Sequence, residues 1–408
     1  VKSESNSPQV PFQGQVSQLV AYAYERAPYF RRLLDQENIY PASLRAPADL
    51  EQIPVTHKDN LIALQQETPP LGGWLDDERC KSLARLFLSP GPIVDPQGPV
   101  EDYWHFARAL RIAGFKPGDI VQNTFSYHLS PGGFMLDAGL RAVGCTVFPA
   151  GVGNTELQVE AASRLRISGY VGTPSFLLKL LEKGQQEKKK LYYRVALVTG
   201  EPLPPSLRNL FLEKYKVQVF QVYATADLGC VGYECSQQNG WHVNPEFLVS
   251  ICDPVTGKSL PTGRTGEIVV THFNPHYPLI RFGTGDLSRW ISEPCPCGDP
   301  APRLDGFQGR IGEGVKVKGM FVHPRQVKET LEQFSGIVDF QLVITRTAQQ
   351  EDHLTYRLVP AEQELATYKF AKELEEALQE VVKVRGVVEW VENLEGPEHK
   401  VLDLRKWE

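Results

Sequence analysis

The sequence predicts an α/β fold: a large N-terminal domain of helix-flanked sheets with a small β-rich subdomain, followed by a small α+β C-terminal domain. Three observations carry this. From Tyr103 to Tyr223, helix-like and strand-like segments alternate, the pattern of a parallel sheet covered on both faces. Residues 245–290 then turn β-rich and are broken by DPVTGKSLPTGRTGE, a run dense in turn formers. After GRIGEG (309–314) the order becomes strand, helix, two strands, helix, strand, over about one hundred residues, a size that folds as a unit. The boundary falls at 310–313 and divides the chain into domains of residues 1–310 and 311–408.

In order along the chain, Val16, Leu19, Val20, Tyr22, Ala23, Ala27 and Phe30 recur at helical spacing and Pro28 interrupts them, which predicts two short helices. In IPVTHKDNL, Thr56 reads as a helix cap with Asp59 in the first turn, and the segment needs no catalytic role. Residues 101–114 read as helix, 119–125 as strand, 131–144 as helix and 145–151 as strand. Strand SGYVG leads into Thr173, a cap, and Pro174, a residue type favoured at the first helical position, before SFLLKLLEK. Strand RVALVTG, turn GEPLPP, helix SLRNLFLEKY, strand VQVFQVY and turn YATADLG follow. Both turns lie at the carboxyl ends of strands, where open α/β sheets place ligands, so they are site candidates; taken singly, each reads equally well as a plain turn. Beyond the boundary come strand VKVKG, a helix from Pro324, paired strands 337–346 and 353–359, helix 365–381 and strand 384–392.

Composition narrows the partners. The 408 residues are 42% hydrophobic and 23% charged, ordinary for a globular protein, and the formal charge of −6 makes nucleic acids and anionic membranes poor partners. No apolar run approaches the roughly 18 residues of a membrane span, and the polar N-terminal stretch has no hydrophobic signal core, so the expected location is cytoplasmic. Seven cysteines, an odd number and partly clustered, argue against a secreted disulfide framework. Cys235 and His242, with Cys295 and Cys297 flanking Pro296, supply three thiols and one imidazole, enough for a closed structural Zn²⁺ site. Cys230 is a spare candidate, while Cys80, Cys145 and Cys252 read as core.

Read in order, APYFRRLLD, LEQIPVTHKDNL, GFKPGDIVQNTF, GTPSFLLKLLE, VTGEPLP, YATAD, PLIRFGTGDL, EPCPCG, GRIGEGVKVKG and VHPRQV resemble successive blocks of the phenylacetate-CoA ligases. That group includes the coenzyme F390 synthetases and belongs to the adenylate-forming superfamily of acyl-CoA synthetases, peptide-synthetase adenylation domains and luciferase. The resemblance runs from residue 16 to 405. It implies that ATP activates a carboxylic acid to an acyl adenylate with release of pyrophosphate, and that coenzyme A then takes the acyl group. It also implies Mg²⁺, a homodimer and a C-terminal lid that rotates between the two steps.

Residue by residue, the resemblance assigns Asp286 to the ribose hydroxyls and Gly200, Glu201 and Pro202 to the adenine pocket. Tyr223, Ala224, Thr225, Ala226 and Asp227 match the family's Tyr-Gly-x-Thr-Glu turn, with Tyr223 against the base and Asp227 where a glutamate helps hold Mg²⁺. Arg310 matches the hinge arginine. Phe125, Tyr127, His128 and Gly132 fall in the block that shapes the pocket for the acid. Departures are equally plain. Ala224 replaces glycine, Ala226 replaces a hydroxyl residue, and Asp227 is one methylene short. The phosphate loop aligns with LSPGPIVDPQGP (88–99), where Pro90, Pro92, Pro96 and Pro99 lack an N–H and Asp95 adds negative charge. Gly312 and Glu313 replace an acidic pair. Pro397 stands at the position of the catalytic lysine, leaving Lys400 as the substitute. Two readings follow: an AMP-forming acid-CoA ligase, or a degenerate homologue that binds nucleotide, acyl adenylate or a protein partner without full adenylation.

Overall fold

The structure, a computed structural model, describes residues 14–89, 91–254, 256–311, 315–318, 320–322, 324–347, 351–394 and 400–405. The chain forms two compact units that divide between Gly309 and Arg310. Among the described residues no helix is long and apolar enough to cross a membrane.

In the larger unit, five parallel strands lie in the order Thr146–Pro149, Ile120–Asn123, Gly169–Gly172, Val195–Val198 and Gln218–Thr225. The nine-stranded sheet continues antiparallel through Gly229–Tyr233, Trp241–Val243, Arg303–Leu304 and Trp290–Ile291. Side chains on alternate positions feed two cores. Val121, Val171, Leu197 and Phe220 pack with Phe106, Leu110, Leu136 and Leu140 on one face. Tyr170, Ala196, Val198 and Val219 pack with Val159, Leu177, Leu180 and Phe211 on the other. The central strands Gly169–Gly172 and Val195–Val198 are buried along their whole length, as helices on both faces of a parallel sheet require. Thr173 caps helix Pro174–Gln186 by accepting from Phe176 N at 3.3 Å, and Pro174 begins the helix. Gly172 leaves no room for a side chain, because a Cβ there would sit 2.0 Å from Thr124 Oγ1.

The β-rich subdomain is a second sheet, in the order Thr56–His57, Phe282–Ser288, Gly266–His272 and Phe247–Cys252. Its buried face meets the two N-terminal helices, Gln15–Arg26 and Pro28–Gln36, through Val16, Phe30, Trp74, Phe247, Ile268 and Phe282. Thr56 is not a helix cap. It pairs in parallel with Phe282, its hydroxyl meets Tyr29 Oη at 3.2 Å, and a short 3-10 turn, Lys58–Asn60, intervenes before helix Leu61–Glu67. A β-branched residue suits that edge pairing better than a cap, and sheet formation outweighs the local capping preference.

His272, at the end of strand Gly266–His272, is buried with its Nε2 3.0 Å from His105 Nε2, and both rings pack on Phe247. Burial holds His272 well below the ordinary imidazole range, with His105 adding to the effect, and burial lowers His105 against the opposing pull of Glu246. The native state therefore binds fewer protons here than the unfolded chain. Its stability is fully present above the unfolded histidine pKa of about 6.5 and declines as pH falls below it. Replacing His272 by glutamine, which does not titrate, is expected to flatten the fall in melting temperature between pH 7 and pH 5. Parallel falls in variant and wild type would trace the acid sensitivity elsewhere.

The smaller unit has a four-stranded sheet in the order Gly386–Trp390, Asp352–Pro360, Ile337–Arg346 and Val401–Asp403, with helices Pro324–Leu331 and Tyr368–Val382. Leu342, Ile344, Leu354, Tyr356, Leu374 and Leu378 fill its core. The strand expected to open this domain does not join that sheet. Val315–Val317 instead folds back on Met320–Val322 through Lys318 at φ 50°, and Val401–Asp403 takes the sheet edge beside Ile337–Arg346 in parallel.

Candidate functional site

The strands Gln218–Thr225 and Phe282–Ser288 come from different sheets, yet their polar residues meet. Tyr223 Oη donates to Asp286 Oδ2 at 2.9 Å, and the Tyr223 ring stacks on Trp241 at 5.3 Å with an interplanar angle of 13°. Trp241 thus covers one ring face, leaving at most the other for a base. The tyrosine bond orients a carboxylate that has further acceptor capacity, as a ribose diol requires.

Gly200 adopts φ 84°, the left-handed turn that favours glycine. Beside it, Glu201 Oε2 accepts from Ser175 N at 3.3 Å, near the N-terminus of helix Pro174–Gln186, where a carboxylate is favoured by the helix dipole. The Glu201 carbonyl accepts from Gln221 Nε2 at 3.2 Å, which ties the Gly200–Pro202 turn to the strand carrying Tyr223. Thr225 Oγ1 accepts from Leu228 N at 3.2 Å and Ala224 pairs with Cys230, so both build the turn.

Asp227, the expected Mg²⁺ ligand, is buried with its Oδ2 2.5 Å from Lys58 Nζ. Lys58 is the functional candidate that sequence reading misses, since 169 residues separate it from Asp227 and IPVTHKDNL carries no catalytic signature. Asp95 joins them. The segment aligned with a phosphate loop is a tight hairpin, Arg85–Ser89 with Ile93–Gln97, and Asp95 is 1% exposed on its inner face. Pro90 lies outside the described residues. Burial, then the charge of Asp227, push the Asp95 carboxyl well above its ordinary range, against the opposing pull of Lys58. Among the described residues, both Asp95 oxygens and Asp227 Oδ1 are buried without a hydrogen bond of ordinary geometry.

The expected zinc ligands converge. Cys235 Sγ lies 3.6 Å from Cys295 Sγ, Cys297 Sγ lies 3.5 Å from His242 Nε2, and all four ligand atoms fall within 4.8 Å of one another. A tetrahedral ion with bonds of about 2.3 Å to sulfur and 2.0–2.1 Å to nitrogen separates its ligands by about 3.5–3.8 Å, so the group fits. Backbone amides of Gln237 and Asp299 each donate to a thiol sulfur, Cys235 and Cys297, at 3.4 Å. Tyr233 stacks on His242 at 5.9 Å. Cys230 stands apart, buried with its thiol toward Gly232 O.

In the acid-pocket block, Asn123 Nδ2 donates to Tyr127 Oη at 2.9 Å and to Gly133 O at 2.8 Å, and Tyr127 Oη donates to Asp137 Oδ2 at 3.1 Å. A Cβ on Gly132 would meet Phe125 at 3.7 Å, an ordinary contact, so Gly132 and Phe125 are neighbours. His128 is exposed and its amide donates to Ser126 Oγ. In the smaller unit, Lys400 Nζ pairs with Asp339 Oδ1 at 2.5 Å, and Arg310 opens that unit. Gly312, Glu313 and Pro397 lie outside the described residues.

Residues 102–274 match the family described as AMP-binding enzyme. Over 349 residues the chain is 32% identical to a phenylacetate-coenzyme A ligase of Thermus thermophilus, covering 81% of this chain and 77% of the relative. A phenylacetate-coenzyme A ligase of Escherichia coli is 26% identical over 80% of this chain and 76% of its own length. Among solved structures, 2-hydroxyisobutyryl-CoA ligase in complex with 2-HIB-AMP and CoA superposes with a TM-score of 0.84 at 26% identity, covering 96% of this chain and 89% of that one.

Proposed function

We propose, for a chain that belongs to the phenylacetate-CoA ligase family of AMP-binding, adenylate-forming enzymes, that it joins a carboxylic acid to coenzyme A by way of an acyl adenylate. The observation that carries this is the Tyr223–Asp286 hydrogen bond, which brings the family's two adenosine positions together from separate sheets. In this reading Asp286 accepts hydrogen bonds from the ribose hydroxyls, Tyr223 holds it in place, and the Gly200–Pro202 turn borders the base. The acid lies toward Phe125, Tyr127, His128 and Gly132. The coenzyme A thiol gives up its proton to solvent, its sulfur attacks the adenylate carbonyl, a carbon–sulfur bond forms, and AMP leaves with the electrons of the broken carbon–oxygen bond.

Zn²⁺ on Cys235, His242, Cys295 and Cys297 would be structural, a closed site with no position for substrate. Mg²⁺ is a poorer fit at Asp227, because Lys58 already pairs with one oxygen of a carboxylate that is 0% exposed. Lys400 serves a growing charge only if it leaves Asp339. A homodimer is what the family resemblance suggests. The Lys58 and Lys400 contacts favour the second reading, an adenylate-binding homologue that runs only the thioester half of the reaction.

ATP–pyrophosphate exchange with a panel of aryl and aliphatic acids separates the two. Acid-dependent exchange is expected if the chain catalyses adenylation; AMP binding by calorimetry without exchange would support the thioester-only reading. No exchange together with no binding of AMP or coenzyme A would refute both.

A further inference from the structure

We propose that Lys58 is a built-in cation: its ammonium holds the place beside Asp227 that a divalent ion would take, so that this chain binds adenosine monophosphates without a metal. The inference rests on the adenosine reading of Tyr223 and Asp286 for its ligand, and on geometry for its cation.

Three elements distant in sequence meet at the cluster. Lys58 follows strand Thr56–His57, which is held in register against Phe282 and Gly283 of the strand that carries Asp286. Asp227 follows the strand that carries Tyr223. Asp95 comes from the hairpin strand Ile93–Gln97. The cluster therefore adjoins the Tyr223–Asp286 contact through the backbone of both strands.

Mg²⁺ is bound by six oxygens at about 2.0–2.1 Å, usually one or two carboxylates and several retained waters. Asp227 offers no such setting. Its side chain is 0% exposed, against 19% for Lys58, and Oδ2 already carries the ammonium at 2.5 Å. An ion bonded to that oxygen would place like charges within a few ångströms of one another in a medium of low polarity, a strongly unfavourable arrangement. The ammonium brings one positive charge and three donors to a site that otherwise contains two buried carboxyl groups. Among the described residues, three of the four carboxyl oxygens, both of Asp95 and Oδ1 of Asp227, are buried without a hydrogen bond of ordinary geometry. Removing the ammonium would leave a pair of acidic groups facing each other without a counter-charge, and a cation of another kind is the species that would restore balance.

The test is a titration of the zinc-loaded full chain with Mn²⁺, followed by calorimetry and by the spin-resonance signal of the free ion, without nucleotide. Wild type is expected to show no saturable site that Asp227→Asn removes. Lys58→Ala is expected to gain one such site, at least about tenfold tighter than any in wild type, and Lys58→Ala/Asp95→Asn is expected to lose it. Lys58→Met, which keeps the bulk of the side chain, guards against a folding failure of the alanine variant. A wild-type Mn²⁺ site abolished by Asp227→Asn would overturn the proposal, as would folded Lys58 variants that gain none. In a separate arm, AMP should bind wild type equally well, within about twofold, with and without Mg²⁺. Strengthening of AMP binding beyond that by Mg²⁺ also counts against the built-in cation. Absence of AMP binding with the Mn²⁺ results intact sinks the adenosine reading and the stated ligand, and leaves the cation assignment supported.

Discussion

Asp286→Ala is expected to weaken AMP binding about 100-fold. A carboxylate that accepts from two ribose hydroxyls makes two charge-assisted hydrogen bonds, each worth roughly 1.5–3 kcal/mol, and their loss is not simply additive. The substitution also strips Tyr223 Oη of its acceptor in a largely buried setting, since Tyr223 is 7% exposed. Tyr223→Phe separates these effects. It keeps the ring on Trp241 and removes only the hydroxyl that orients the carboxylate, so a loss of about three- to tenfold is expected, near the 1 kcal/mol typical of one hydrogen bond. Calorimetry with AMP reads both variants. Asp286→Ala binding AMP as wild type does would remove the ribose role and with it the nucleotide cleft.

The second large effect concerns the thiol cluster. Protein purified without chelator is expected to carry one zinc per chain, and stripping it should lower the melting temperature of the larger unit by about 5–8 °C. Structural zinc contributes folding free energy outright, and removal of about 3–5 kcal/mol from a domain of this size moves the midpoint by roughly that amount. Cys295→Ser should reproduce the loss and become insensitive to chelator. Elemental analysis finding less than about half an equivalent would count against a constitutive site. The cluster joins strand Trp241–Val243 to the loop that carries Cys295 and Cys297, so the destabilisation should centre on that edge of the large sheet.

What the sequence made legible follows from local rules. The central parallel strands Gly169–Gly172 and Val195–Val198 are legible because they are buried along their whole length, and Thr173 with Pro174 marks a helix start through its own chemistry. The convergence of Cys235, His242, Cys295 and Cys297 is readable because few other roles gather cysteines and a histidine at such spacing. Contacts set by tertiary structure were not readable. Thr56 sits in a sequence that resembles a cap, yet its partner is Phe282, far along the chain. Asp95 lies among prolines that suggest a surface loop, but in the hairpin it pairs with Phe87 and turns inward. Lys58 has the same problem in stronger form, because neither spacing nor periodicity links it to Asp227. The edge position of Val401–Asp403 likewise depends on which strand reaches Ile337–Arg346, a competition that no local pattern records.

Trp241 and His242 are consecutive residues of one three-residue strand, the first backing Tyr223 and the second reaching Cys297. Neighbours on a strand project to opposite sides, so a single inserted or deleted residue would swap the two and spoil both tasks at once. Drift in the length of this stretch is therefore closed to any descendant that keeps both the Trp241–Tyr223 stack and the His242–Cys297 contact, whereas the turns on either side remain open to it.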